Sequence, residues 1–378
     1  MSVAQSPELP PGVVLGDPTD LGGSSRSTVH RREVLSGPPE WGGSVIVKRF
    51  VPMPPGSRAA MGYQRELVGL AHLPGTPRLL AHDDASQTLV MEDLGTHPTL
   101  ANVLLDHEAK DAWRHTVNWA RALGRTVRTD PDTMAAARHR LGEAVSVDRD
   151  SRRDFPRRGL LLLRQEGVLR DAPGATGQLL DALDWLEHDT RRQVLGPGDA
   201  CPDNALLTDS GVRLVDLEGA GIRHLAYEAA YVAEPFSTCW CVFTPPKGLT
   251  DAATEAFTAA AGEQLPGLEE DPDWPRQVRV AVVAWVLSGT LWLLEGAEAD
   301  LAMGGGPTAA VLGPPMRALL VSRWSWVARE CATEMPDVAA ACDEAAAWAR
   351  RAWREGSPLE LRPYPAFSPE PLRPEEPR

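Results

Sequence analysis

Apolar and polar positions follow two different periods along this chain, and the change of period divides it. From Asp20 to Gly95 the dominant period is two. Ser44-Val-Ile-Val-Lys-Arg-Phe50 reads as a strand, and so does the alternating segment through Val29, Arg31 and Leu35. Pro77–His82 and Thr88–Gly95 supply two more strands, joined by a turn over 83–87. Met61, Leu67, Leu70 and Leu73 recur at helical intervals over Arg58–Leu73. With one further strand before a Gly22-Gly23 turn, five strands and one helix make a small N-terminal lobe over residues 19–95, after a loose, Pro-rich start over 1–18.

From residue 96 the period becomes helical, and a larger lobe is expected over 96–356. Trp113, Val117, Ala120, Leu123 and Val127 form the apolar face of a helix over Ala109–Thr129, interrupted by Pro131. Met134–Phe155 is charged and periodic. Arg149, Arg152, Arg153, Arg157 and Arg158 read as a solvated, mobile connection to the helices Gly159–Leu169 and Thr176–His188. Ala205–Leu207 and Val212–Val215 then flank the turn Thr208-Asp-Ser-Gly211, which is a hairpin signal. A helix begins near His224, and the aromatic stretch Pro235–Phe243 reads as core rather than pocket lining. Helices follow over Thr250–Ala261, Trp274–Glu298, Met316–Glu334 and Pro336–Arg354. The Pro-rich, charged residues 357–378 are expected to be an extended or disordered tail. Runs of strands followed by runs of helices make the chain α+β.

Composition narrows the picture. At 378 residues the chain is long for one core, which favours two lobes. A net charge of −14 argues against nucleic acid or an anionic membrane as the main partner and suits a cationic small molecule. The N-terminus has no basic segment followed by an apolar run, so no signal peptide is read and the cytoplasm is the expected location. Val280–Leu294, the longest apolar run, is too short to span a bilayer and reads as a buried helix. Five cysteines in this length are no disulfide framework. Cys239 and Cys241 stand two apart without a second Cys or His pair at zinc spacing, and are taken as core thiols.

The candidate chemistry gathers at the hairpin 195–220. Asp199 stands just before its first strand, Asn204 opens that strand, and Asp216 ends the second. A hairpin folds back on itself, so Asn204 and Asp216 meet at its open end, with Asp199 in the loop leading in. Oxygen donors so placed suit a hard cation. Gly22 and Gly23, followed by Ser24 and Ser25, form a turn whose backbone N–H groups can approach phosphate. Each feature alone has an ordinary reading: a polar turn, a solvated strand-end Lys48, an exposed helical Glu66.

Gly198, Asp199, Pro202 and Asn204, with Asp216 after a strand, reproduce the spacing H-G-D-x-x-P-x-N and its following acidic position. This segment resembles the aminoglycoside phosphotransferase family, which shares the protein-kinase-like fold. The resemblance extends in order through the Gly/Ser turn, Lys48 on strand three, Glu66 on the first helix and the strand end Val90–Gly95. It implies a two-lobe fold, an antiparallel-sheet N-lobe and a helical C-lobe, with ATP and Mg²⁺ in the cleft. It implies that Lys48 contacts phosphate and pairs with Glu66, and that Glu92, Asp93 and Leu94 meet adenine through their backbone. Asn204 and Asp216 would hold Mg²⁺, and Asp199 would take the proton of a substrate hydroxyl. The family's loop His is Pro197 here, and an Asp of the following helix is replaced by Glu228. The two changes are read as linked, a stiffer proline loop no longer needing its former anchor. The implied acceptor is a small-molecule alcohol such as an amino sugar. A Ser/Thr-bearing peptide precursor and a non-catalytic nucleotide- or partner-binding protein are the alternatives.

Overall fold

The computed structural model describes residues 9–52, 61–106, 108–170, 174–234, 236, 239–304 and 313–368. Five antiparallel strands form the first lobe: β1 (Val14–Gly23), β2 (Ser27–Ser36), β3 (Ser44–Phe50), β4 (Leu79–Asp83) and β5 (Thr88–Glu92). Their spatial order is β1-β2-β3-β5-β4, with β3 paired to β2 and β5. Val14–Pro18, read from sequence as part of the loose start, belong to β1 and pair with β2. Alternation on β3 separates its two faces. Val45 and Val47 pack with Leu15, Trp41 and Val90 in a small cluster. Lys48 and Phe50 point the other way, toward helix α1 (Gly62–His72) and the rest of the molecule. The first residues of the helix read over Arg58–Leu73 lie outside the described residues.

The second lobe is mainly helical: α2 (Leu100–Leu105), α3 (Ala109–Thr126), α4 (Pro131–Leu141), α5 (Ala144–Gln165), α6 (Ala175–His188), α7 (Ala226–Ala233), α8 (Leu249–Gly262), α9 (Trp274–Glu298), α10 (Met316–Glu330) and α11 (Pro336–Ala352). Between α6 and α7 lie two small hairpin-like sheets. β6 (Gln193–Gly196) pairs with β9 (Gly221–His224), and β7 (Ala205–Thr208) pairs with β8 (Gly211–Leu214). Buried Trp119 and Leu123 of α3, Phe257 of α8 and Val280–Val283 of α9 belong to one continuous core. Burying such side chains is the main stabilising term, and truncating one to alanine costs about 2–5 kcal/mol. The helix α9 is long and apolar enough to cross a membrane by length and composition, but 72% of its most apolar window is buried in the protein. At Gly159 of α5 an added Cβ would lie 1.8 Å from the Leu287 carbonyl oxygen of α9, so only glycine permits this crossing.

Three expectations are corrected. Pro131 begins α4 rather than merely breaking a helix, because Pro fits the first turn and the Asp130 side chain caps the Thr133 N–H at 2.9 Å. The arginine run is no mobile linker but the middle of α5, with Pro156 inside the helix. Its charges are met by α6, Arg152 by Glu187 and Arg153 by Asp184, each at 2.8 Å. The expected tail is packed as far as the described residues reach. Tyr364 is buried, donates from its hydroxyl to the Cys241 carbonyl at 3.1 Å, and stacks obliquely on Phe243.

Candidate active site

The centre of the site is a buried cation shared by three carboxylates. The Lys48 ammonium lies 2.5 Å from Glu66 Oε2, 2.5 Å from Asp216 Oδ1 and 3.2 Å from Glu218 Oε1. The β3 alternation aims Lys48 at α1, where Glu66 is buried beside Tyr63, Leu67 and Leu70. Burial alone would push the Lys48 ammonium down; the three carboxylates outweigh it and hold it above its ordinary value. Burial raises the Glu66 carboxyl to about 7, with Lys48 opposing and Asp216 and Glu218 adding to the rise. The two rises have different origins: three carboxylates surround the one ammonium, whereas Glu66 rises chiefly because it is buried. Oxygen atoms of Glu66, Asp216 and Glu218 all lie within 4.8 Å of one another. A set of hard oxygen donors with surplus negative charge fits Mg²⁺. Asp216 adopts φ 58, a left-handed conformation that costs energy outside glycine and concentrates at functional sites.

Glu218 escaped the sequence reading. No strand alternation marks it: Asp216 has a left-handed backbone and Glu218 stands in the turn that follows, with Leu217 between them buried. Glu218 also reaches the glycine turn, with Arg26 at 3.2 Å and the Ser27 hydroxyl at 3.5 Å. That turn joins β1 to β2 through Gly22, Gly23, Ser24 and Ser25. The Gly22 N–H donates to Asp20 at 2.8 Å, and the Ser24 N–H to the Ser27 carbonyl at 2.9 Å. The structure therefore brings the turn to the Lys48 cluster.

The loop from β6 to β7 carries Asp199. The Tyr231 hydroxyl of α7 donates to Asp199 Oδ1 at 3.1 Å, and the Asn204 amide donates to the Asp199 carbonyl at 3.4 Å. The Val215 N–H bonds to the Asn204 carbonyl at 2.9 Å, which sets Asn204 beside the segment carrying Asp216.

The linked-change reading of Pro197 and Glu228 is overturned. Glu228 still anchors the loop, accepting the Gly198 N–H at 3.3 Å and pairing with buried Arg223 at 3.3 Å. Arg223 in turn donates to the Gly219 carbonyl at 2.5 Å. Burial raises the Glu228 carboxyl and lowers the Arg223 guanidinium, so desolvation outweighs pairing for both. Gly198 has φ 78, and a Cβ there would lie 2.2 Å from both Arg223 Nη1 and the Gly219 carbonyl oxygen.

At the end of β5, the Glu92 and Asp93 side chains are committed to structure. Asp93 accepts Arg31 at 2.6 and 3.0 Å and Ser44 at 2.7 Å, and Glu92 accepts Arg213 of β8 at 3.2 Å. Their side chains are thus occupied, and Leu94 follows on the segment to α2. A second tie joins the lobes: Arg65 of α1, 2% exposed, makes a two-pronged contact with Asp148 of α5 at 2.5 and 2.7 Å.

A five-stranded antiparallel lobe with a lysine–helix glutamate pair, set against a helical lobe that presents an acidic loop region, defines an α+β, two-lobed kinase-like protein. The family model described as "Phosphotransferase enzyme family" (APH) matches residues 21–275, and the chain belongs to that family. Among solved structures it is similar to a choline kinase from Cryptosporidium parvum Iowa II, at 10% identity over 75% of this chain and 84% of that one, TM-score 0.43. It is also similar to a choline/ethanolamine kinase family protein from Mesorhizobium loti, at 16% identity over 88% and 93%, TM-score 0.41. A third is the ADP-bound aminoglycoside phosphotransferase APH(2'')-Ib, at 14% identity over 88% and 94%, TM-score 0.41. No curated protein matches the sequence.

Proposed function

We propose that this chain is an ATP- and Mg²⁺-dependent O-phosphotransferase that moves the γ-phosphoryl group to a hydroxyl of a small molecule, an amino sugar, antibiotic or similar metabolite. The observation that carries this reading is the convergence of Glu66, Asp216 and Glu218 on the buried Lys48 ammonium. Asp216 and Glu218, with Asn204 beside them, would hold the metal, which supplies charge neutralisation on the nucleotide phosphates. Lys48, directed by Glu66, binds phosphate oxygens. The turn over Gly22, Gly23, Ser24 and Ser25 would cover the same ligand, although its Gly22 and Ser24 N–H groups are held by Asp20 and the Ser27 carbonyl, and the backbone of Glu92, Asp93 and Leu94 would meet the adenine. Asp199, fixed by Tyr231, accepts the proton of the acceptor hydroxyl. Positioning and charge neutralisation carry the rate, since phosphoryl transfer asks little covalent chemistry of the protein.

A cationic acceptor is supported by charge. The chain's net charge of −14 favours a cation over an anion as the small-molecule partner. Calorimetric titration of ATP with and without Mg²⁺, on the native chain and on Asp216→Asn, is the test. Metal-dependent binding weakened by the substitution is expected, followed by turnover in a screen of amino sugars. Metal-independent binding that Asp216→Asn leaves unchanged would refute the site. Turnover of a Ser/Thr peptide in place of amino sugars would refute the small-molecule acceptor.

A further inference from the structure

Two short segments with paired donor atoms meet beside the Asp199 loop. Cys201-Pro-Asp203 leads out of that loop, and Cys239-Trp-Cys241 lies beyond α7. In sequence the second pair has no partner; the fold supplies one. Cys201 Sγ, an Asp203 carboxylate oxygen and Cys239 Sγ all lie within 4.8 Å of one another. Cys239 Sγ is 3.0 Å from Cys241 Sγ and 3.8 Å from Asp203 Oδ1. The three thiols are buried. The other Asp203 oxygen, Oδ2, accepts the indole N–H of Trp240 at 3.1 Å.

Packing alone does not account for this arrangement. A core thiol behaves as a small apolar group and gains nothing by facing a carboxylate. The half-buried Asp203 carboxylate takes one indole N–H on one oxygen and turns the other toward the thiols. A Cys239–Cys241 disulfide would use two donors and leave Cys201 to the Tyr231 hydroxyl and Asp203 to the Trp240 indole. One ion uses all four.

We propose that Cys201, Asp203, Cys239 and Cys241 form a zinc site. A set of three sulfurs and one carboxylate oxygen suits a closed, tetrahedral, structural Zn²⁺. Cys201, Asp203 and Cys239 already lie within 4.8 Å of one another; Cys241, 3.0 Å from Cys239, stands outside that set and would complete the tetrahedron by turning its side chain toward it. Binding releases the three thiol protons to solvent and leaves thiolate ligands. Trp240 is then the outer partner that orients the carboxylate ligand. The ion ties the Asp199 loop to the segment beyond α7. Tyr231 stands between, 3.0 Å from Cys201 Sγ and 3.1 Å from Asp199 Oδ1. The inference is independent of the phosphotransfer reading, since no nucleotide enters it.

Elemental analysis of the full chain, purified in reducing buffer without chelator, tests the site directly, with Co²⁺ replacement as a second readout. About one zinc per chain is expected, and the cobalt form should show the sulfur-to-metal charge transfer and intense visible bands of a tetrahedral thiolate site. Cys239→Ser and Cys241→Ser should lose the metal. Cys331→Ser and Cys342→Ser, at buried thiols elsewhere, should keep it. Trp240→Phe, which leaves all four ligands in place, should weaken metal affinity about 10–100-fold. A natively folded, zinc-free chain that gives no charge-transfer band with Co²⁺ would overturn the proposal. So would a Cys239–Cys241 disulfide found in that protein.

Discussion

Lys48→Met removes the only cation in contact with Glu66 among the described pairs, and its cost should depend on pH in a calculable way. The side chain of Glu66 is 2% exposed and that of Asp216 is 47%, so Glu66 carries most of the penalty. Removing one partner of a buried ion pair costs about 3–5 kcal/mol when the other stays charged. Glu66 need not stay charged. Its folded value, near 7 against an ordinary 4.5, means the folded chain binds a proton that the unfolded chain has released. Stability therefore falls as pH rises through that window and levels off above it. Without Lys48 the carboxyl moves higher still, and the falling limb extends upward. Variant and native should be close at acidic pH. They should diverge above neutrality by up to about 1.4 kcal/mol per pH unit, hence about 2 kcal/mol between about pH 7 and pH 8.5. Urea denaturation followed by circular dichroism across that range reads the difference. Lys48→Met combined with Glu66→Gln should remove the pH dependence, because a neutral amide replaces the titrating group. A constant penalty at every pH, or none at pH 8.5, would refute the reasoning.

Three further outcomes are expected. Asp199→Asn should lower phosphoryl transfer about 10²–10⁴-fold in a coupled ADP-release assay while calorimetry finds ATP affinity nearly unchanged; equal losses in both would remove Asp199 from proton transfer. Arg65→Met should cost about 1.5–3 kcal/mol in urea melts by removing the two-pronged contact to Asp148, which keeps the guanidinium charges of Arg152 and Arg223 nearby; full stability of the variant would show the inter-lobe tie to be idle. Pro197→His should bring no gain in turnover, since Gly198 and Arg223 already occupy Glu228, and a large gain would mean that the loop lacks the support its contacts describe.

What sequence could reveal here, and what it could not, follows from where each contact is written. Lys48 and Phe50 share a face because strands alternate, and that alternation is visible in seven consecutive residues. Hence the five-stranded lobe was legible, whereas the pairing of Lys48 with Glu66 of α1 came only from the family resemblance. Periodicity names a face, however, and not what covers it. Arg65 and Asp148 are separated by 83 residues, and nothing within either helix marks the other. The arginines of α5 looked solvated for the same reason, since Glu187 and Asp184 of α6 lie more than thirty residues on. Pro156 sits inside α5 although a proline costs a helix one donor, and the packing of α5 against α9 and α6 offsets that loss. The loop anchor shows the limit most sharply. Pro197 and Glu228 looked like the loss of a contact because a histidine side chain was expected as the donor. The contact survives through the Gly198 N–H, a group that every residue but proline carries. A backbone donor leaves no letter in the sequence. What the sequence did record is Gly198 itself, the residue whose missing Cβ lets Arg223 and the Gly219 carbonyl close around that N–H.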